Sequence, residues 1–128
     1  MACPTIPGTP GPQVVLVEDD VPLRHALAFS LRTSGYRVEI FETGEALLLR
    51  LLPVRPACLV VDQRLPGISG IAALTILRRR RVELPAILIT TNPTPDLYRA
   101  AADLDVRIVE KPLLDAELFA AIAQGLGK

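Results

Sequence analysis

The chain has 128 residues, a formal net charge of zero and 50% apolar residues. This length supports one domain with a real core and is too short for two typical ones. The balanced charge gives no reason for non-specific nucleic-acid binding, and no apolar run approaches the ~20 residues that a membrane helix needs.

Two cysteines are too few for a disulfide framework. Cys58 lies in an apolar run and reads as a small buried residue, and Cys3 lies near the N-terminus. A reduced, cytoplasmic setting is the expectation. Met1 to Gln13 holds four of the twelve prolines and two of the eight glycines, so it reads as a flexible tail before a domain spanning 14–128. It lacks the basic start and apolar stretch of a secretory signal.

Val14-Val15-Leu16-Val17 reads as a strand that runs into Glu18-Asp19-Asp20. Asp20 suits a helix cap, and Pro22 is acceptable in a first turn. Leu23, Ala26, Leu27, Ser30 and Leu31 then recur at helical spacing, with Gly35 as the stop. Tyr36 to Phe41 alternates, Val38 and Ile40 against Arg37 and Glu39, which suits a half-exposed edge strand. Thr43 to Leu52 predicts a second helix that Pro53 and Pro56 keep from extending.

Cys58-Leu59-Val60-Val61 is apolar throughout, as a strand covered on both faces should be, and it ends in Asp62. Ser69 to about Arg80 predicts a third helix presenting Ile71, Leu74 and Leu77 inward. Ala86-Ile87-Leu88-Ile89 is another apolar run and ends in Thr90. Thr94 to Ala102 is a shorter, Ala-rich helix. The strand around Ile108-Val109-Glu110 delivers Lys111. Leu114 to Gly125 is the last helix, with Leu118, Phe119, Ile122 and Leu126 along a stripe. A βα unit repeated five times implies a parallel sheet with helices on both faces and right-handed crossovers. Ligands of such sheets bind beyond the carboxyl ends of the strands, at the topological switch point.

The charged and hydroxyl residues stand at those ends. Glu18, Asp19 and Asp62 form a candidate metal site, because clustered carboxylates repel one another without a cation and magnesium prefers hard oxygens. The acidic triplet alone would equally serve as a helix N-terminus favoured by the dipole; its pairing with Asp62 on another strand favours the site. Asp62 precedes Gln63-Arg64-Leu65-Pro66-Gly67-Ile68-Ser69-Gly70, a turn that leaves its carboxylate free to accept a phosphoryl group. A capping aspartate is the plainer reading of Asp62 taken singly. Thr90 can donate a hydroxyl to a phosphate oxygen, although a threonine at a strand end means little by itself. Lys111 and Lys128 are the only lysines among fourteen basic residues. The ammonium of Lys111 can reach a phosphate as a point charge. Lys111 precedes Pro112, and such a bond in a tight turn is a candidate for the cis form.

Taken together, Glu18-Asp19, Asp62 with its Leu-Pro-Gly-Ile-Ser-Gly loop, Thr90 and Lys111-Pro112 resemble the receiver domain of the two-component response regulator family. The resemblance covers about Val14 to Leu126, and the separations of 43, 28 and 21 residues between Asp19, Asp62, Thr90 and Lys111 are typical of the family. The loop and the Val-Glu-Lys-Pro ending are most similar to receivers of regulators with helix-turn-helix outputs.

The resemblance implies a flavodoxin-like (βα)5 sheet of strand order 2-1-3-4-5. It implies that Asp62 accepts phosphate from a kinase's phosphohistidine. It further implies that Asp19, Asp62 and the backbone carbonyl of Arg64 bind Mg²⁺ (or Mn²⁺), with Glu18 acting largely through water, and that Thr90 and Lys111 contact the phosphoryl group. The expected partners are a sensor histidine kinase or phosphotransfer protein and a downstream output domain or target. The output surface is expected about Thr94 to Gln124, with homodimerisation through that face as one use. Neither direct nucleic-acid binding nor membrane association is expected of the chain.

Four positions depart from the commonest family pattern or tune it. Ile108 stands where many receivers carry a switching Tyr or Phe, so aromatic rotation coupled to Thr90 is unavailable. Thr91 replaces a smaller residue and adds bulk beside the phosphoryl site. Arg64 and Asn92 occupy the variable positions that set acyl-phosphate lifetime in the family.

His25, the only histidine, lacks a partner base in sequence and reads as an ordinary, partly exposed side chain rather than a relay group. Arg78-Arg79-Arg80-Arg81 reads as a solvated helix C-terminus favoured by the dipole rather than a nucleic-acid patch. Two other function classes fit the residues less well. A phosphatase of the haloacid-dehalogenase type would need an acid two residues after Asp62, where Arg64 stands. A binding module without phosphorylation would not need Asp62, Thr90 and Lys111 together. The chain reads either as a free-standing receiver or as the N-terminal part of a longer DNA-binding regulator.

Overall fold

A computed structural model describes residues 12–50, 52 and 57–127. Most of the proposed tail, as well as Pro53, Pro56 and Lys128, lies outside the described residues. The elements are β1 (Gln13–Val17), α1 (Val21–Thr33), β2 (Arg37–Phe41), α2 (Gly44–Leu49), β3 (Ala57–Asp62), α3 (Gly70–Arg79), β4 (Ala86–Thr90), α4 (Pro95–Asp103), β5 (Val106–Glu110) and α5 (Asp115–Gly125). The strands form one parallel sheet in the order β2-β1-β3-β4-β5. This is the flavodoxin-like arrangement, with its chain reversal at β1 and β3.

Alternation along the strands builds two cores, one on each face. Val14, Leu16, Cys58, Val60, Ile87 and Ile89 face α1 and α5, meeting Leu27, Leu31, Leu118 and Ile122. Val15, Val17, Leu59, Val61 and Leu88 face α2, α3 and α4, meeting Leu47, Leu74, Leu77 and Ala101. β3 and β4 are buried along their whole length, which explains their unbroken apolar sequences. β2 is the half-exposed edge that its alternation predicted.

Two elements differ from expectation. α1 buries Arg24, Leu27, Ala28 and Leu31, whereas Ala26 is exposed. The 3.6-residue period puts Arg24, not Ala26, in line with the leucines. α2 stops at Leu49, short of Leu52. Arg50 already takes an extended conformation (φ −86°, ψ 133°), which ends the helical ladder there.

Candidate phosphoryl and metal site

Register brings the strand ends together. Val17 pairs with Val61, so Glu18 and Asp62 leave neighbouring strands side by side. Thr90 pairs with Glu110, so Lys111 follows at the same edge. The Lys111 amide donates to the Thr90 carbonyl at 2.8 Å, which ties the two ends directly. The Lys111–Pro112 bond is cis.

Lys111 Nζ lies 3.4 Å from Asp62 Oδ2 and 3.7 Å from Glu18 Oε1. Glu18, Asp19 and Asp62 each offer a carboxylate oxygen within 4.8 Å of the others. Glu18 and Asp62 are buried, while Asp19 faces solvent. The Asp20 amide donates to Glu18 Oε2, and the Arg64 amide lies 3.4 Å from Asp62 Oδ1. Burial, and then hydrogen bonding with Asp62, push the Glu18 carboxyl up to about 7. Removing a charged group from water favours its neutral form, and a second carboxylate adds repulsion.

The donor set fits a hard divalent cation. Among the described residues, Glu18 Oε1 is buried with no hydrogen-bond donor, and the Lys111 ammonium pairs with only two of the three carboxylates, Glu18 and Asp62. A cation bound to these oxygens would satisfy Oε1 and relieve the repulsion.

Local structure holds Asp62 in place. The Gln63 amide donates to the Ile89 carbonyl, its carbonyl accepts from the Gly70 amide, and its side-chain oxygen accepts from the Ile71 amide at 2.8 Å. Ser69 caps α3 as expected. A Cβ at Gly70 would stand 2.4 Å from the Asp62 carbonyl oxygen, so α3 can begin this close to Asp62 only with glycine. The Glu45 side chain accepts from the Ile68 amide and steadies the far end of the loop. Gly67 meets the turn's positive φ of 80°.

Thr90 is buried, and its hydroxyl donates to the Thr91 carbonyl at 3.4 Å. A cleft of about 820 Å³ opens beside Asp19, and Arg64, Thr90, Thr91 and Asn92 line it. Arg64, Thr91 and Asn92 are all exposed. Asn92 has φ 49°, a conformation that asparagine tolerates better than most residues. Ile108 is half-buried and packs on the face covered by α2, α3 and α4.

Several contributors escaped the sequence reading. Arg24 is buried, and its Nη1 donates to the Glu18 carbonyl at 3.1 Å. The available signal was a lone charge at the head of an apolar stripe. The Tyr98 hydroxyl on α4 donates to Glu110 Oε2 on β5 at 3.2 Å. No spacing rule flags that pair. Arg79, Arg80 and Arg81 are exposed, as a solvated helix end should be, and Arg80 donates to the Leu48 carbonyl; Arg78 is half-buried and donates to the carbonyls of Val82, Leu84 and Leu104. Burial lowers the Arg78 pKa. His25 is exposed. Among the described residues, no helix is long and apolar enough to cross a membrane.

Residues 14–123 match the family model of the response regulator receiver domain. Nodulation protein W of Bradyrhizobium diazoefficiens is 36% identical over 110 residues, which are 85% of this chain and 48% of that protein. Transcriptional regulatory protein AfsQ1 of Streptomyces coelicolor is 38% identical over 119 residues, 89% of this chain and 52% of the relative. The chain thus spans about half the length of the curated relatives it matches. The crystal structure of FixJ-N superposes with a TM-score of 0.82 at 30% identity, covering 93% of this chain and 96% of that one. Matched over most of its length by the family model, the chain belongs to the response regulator receiver domains of two-component signalling.

Proposed function

We propose that this domain is a phosphorylation-driven switch in which Asp62 accepts a phosphoryl group from a sensor histidine kinase or phosphotransfer protein, in a Mg²⁺-dependent (or Mn²⁺-dependent) reaction. One observation carries the reading: Lys111 Nζ stands 3.4 Å from Asp62 Oδ2 beside a three-carboxylate cluster. An Asp62 oxygen attacks phosphorus. The bond from phosphorus to the donor's imidazole nitrogen breaks, and that nitrogen keeps the electron pair. Lys111 offers a cation to the growing anionic charge, and Thr90 a hydroxyl once it turns from the Thr91 carbonyl. Asp19, Asp62 and the Arg64 carbonyl would hold the metal, with Glu18 alongside; when bound, it supplies positive charge that lets an anionic donor approach the carboxylates.

The domain acts as a phosphoryl acceptor, with self-catalysed phosphorylation and dephosphorylation, rather than as an enzyme that releases small-molecule products. The phosphoryl group on Asp62 carries roughly two negative charges in place of the carboxylate's one. This draws Thr90 and Lys111 toward it and shifts the surface of α4, β5 and α5 between two conformations. That surface contacts an output domain, a target or a second copy of the chain. The relatives of about twice the length include a named transcriptional regulatory protein. This supports a place for residues 14–128 as the receiver of a cytoplasmic DNA-binding regulator, with DNA contacts left to the output domain.

Acetyl phosphate tests the reading, followed by intact-mass spectrometry with and without Mg²⁺. The expected product is one phosphoryl adduct, Mg²⁺-dependent and absent from Asp62→Asn. An unmodified wild-type protein would point instead to a binding module, and turnover with free product to a phosphatase. The decay of the same adduct reads the tuning role of the cleft residues. Arg64→Asn is expected to change its half-life, and equal half-lives would remove that role from Arg64.

A further inference from the structure

We infer that Arg24 is a positioning residue of the acidic cluster, clamping the turn that presents Glu18 and Asp19. This rests on the reading of Asp62 as a metal-dependent acceptor.

The first helical bond of α1 fixes one end of the turn, and the Arg24 side chain holds the other. The Arg24 backbone amide donates to the Asp20 carbonyl at 2.8 Å, and its Nη1 donates to the Glu18 carbonyl at 3.1 Å. Asp19 lies between these two anchors and faces solvent. The Glu18 amide donates to the Phe41 carbonyl at 3.1 Å, so both polar groups of the Glu18 main chain are held. The second guanidinium nitrogen pairs with Glu42 at 3.5 Å, just beyond the end of β2. One side chain thus links α1, the end of β1 and the end of β2.

Core packing alone would not select arginine. The residue occupies an apolar stripe with Leu27, Ala28 and Leu31 and is only 8% exposed. A leucine would fill such a position without the cost of removing a guanidinium from water. What arginine adds is a charged donor to one carbonyl, in a planar geometry that fixes the direction of the bond. That carbonyl belongs to the residue whose carboxylate forms one wall of the cluster. Asp19, exposed in a short turn, has no burial of its own to orient it. Outer residues that orient metal ligands are worth about 10- to 100-fold in metal affinity.

The test is a Mg²⁺ titration of wild type, Arg24→Ala, Arg24→Gln and Glu42→Gln. Binding is read by calorimetry, and acetyl-phosphate modification is read by intact mass at each Mg²⁺ concentration. Arg24→Ala is expected to raise half-saturating Mg²⁺ about tenfold, at the lower end of the range for such residues, with the rate at saturating Mg²⁺ nearly unchanged. Arg24→Gln keeps an N–H donor and should fall between it and wild type. Glu42→Gln leaves the bond to the Glu18 carbonyl intact and should match wild type. Unchanged half-saturation in folded Arg24→Ala overturns the inference, and so does an equal rate loss at every Mg²⁺ concentration. If Arg24→Ala does not fold, Arg24→Gln decides by the same criterion. A wild-type protein that neither binds Mg²⁺ nor is modified removes the acceptor reading itself. A modified wild type with an indifferent Arg24 removes only this inference.

Discussion

Glu18 concentrates the tension in the site, because it is buried, has no donor to Oε1 among the described residues and shares its surroundings with Asp62. Its carboxyl is pushed from 4.5 to about 7, chiefly by burial. The folded state therefore holds this proton more tightly than the unfolded chain does. The resulting stability is fully present below about pH 4.5 and is lost as pH rises through about 7. A full shift of that size corresponds to roughly 3 kcal/mol as an upper bound. Thermal melts in EDTA between pH 5 and 8 should show the melting temperature falling, with a smaller slope in Glu18→Gln. Saturating Mg²⁺ should flatten the wild-type slope, because it favours the ionised carboxylate. Equal slopes for the two proteins in EDTA would refute the assignment to Glu18. Asp62 and Lys111 were legible because each puts a charged group at the end of an apolar run, and Lys111 is one of only two lysines. Arg24 was not, because charge at a helix start ordinarily means solvent.

At the level of elements, the start of α3 decides how Asp62 is presented. Gln63, Ser69 and Gly70 hold the Asp62 turn against the first helical turn, and Gly70 leaves no space for a side chain beside the Asp62 carbonyl. For Gly70→Ala two effects compete. Helix propensity favours alanine by about 1 kcal/mol. The methyl would meet a backbone oxygen at 2.4 Å, and such overpacking costs about 1–3 kcal/mol. The clash should win: the Leu88 side chain, 2.8 Å from the added methyl, can shift, but the Asp62 main chain is paired with Ile89 of β4. Gly70→Ala is expected to melt lower than wild type and to accept phosphate more slowly. A variant as stable and as reactive as wild type would show that α3 can retreat freely. The turn Pro66-Gly67 and the Ser69 cap were readable from sequence, since each is a local preference. The closeness of α3 to β3 was not, since it depends on how two elements pack.

Across the whole molecule, the question is how an event at Asp62 reaches a surface. Ile108 carries no polar tip, but Tyr98 of α4 bonds Glu110, the residue before Lys111. Movement of Lys111 toward a phosphoryl group would pull on the strand end that holds α4 through this bond. The bond is exposed, so Tyr98→Phe should change stability by only about 0.5–1.5 kcal/mol. It should leave the phosphorylation rate intact while altering the amide NMR shifts of Leu97 to Ala101 that accompany modification. Identical shift changes in both proteins would exclude the link.

By itself the sequence determined the βα order, the parallel sheet, the four strand ends that carry charged or hydroxyl groups and the family resemblance. These follow from local periodicity and from polar residue types set at fixed intervals behind apolar runs. Tertiary structure alone decided that Glu18 Oε1 lacks a hydrogen-bond donor among the described residues, that α3 abuts Asp62, that Arg24 holds the Glu18 carbonyl and that Tyr98 reaches Glu110. Those features depend on distances between elements far apart in the chain, set by register and packing rather than by any local preference.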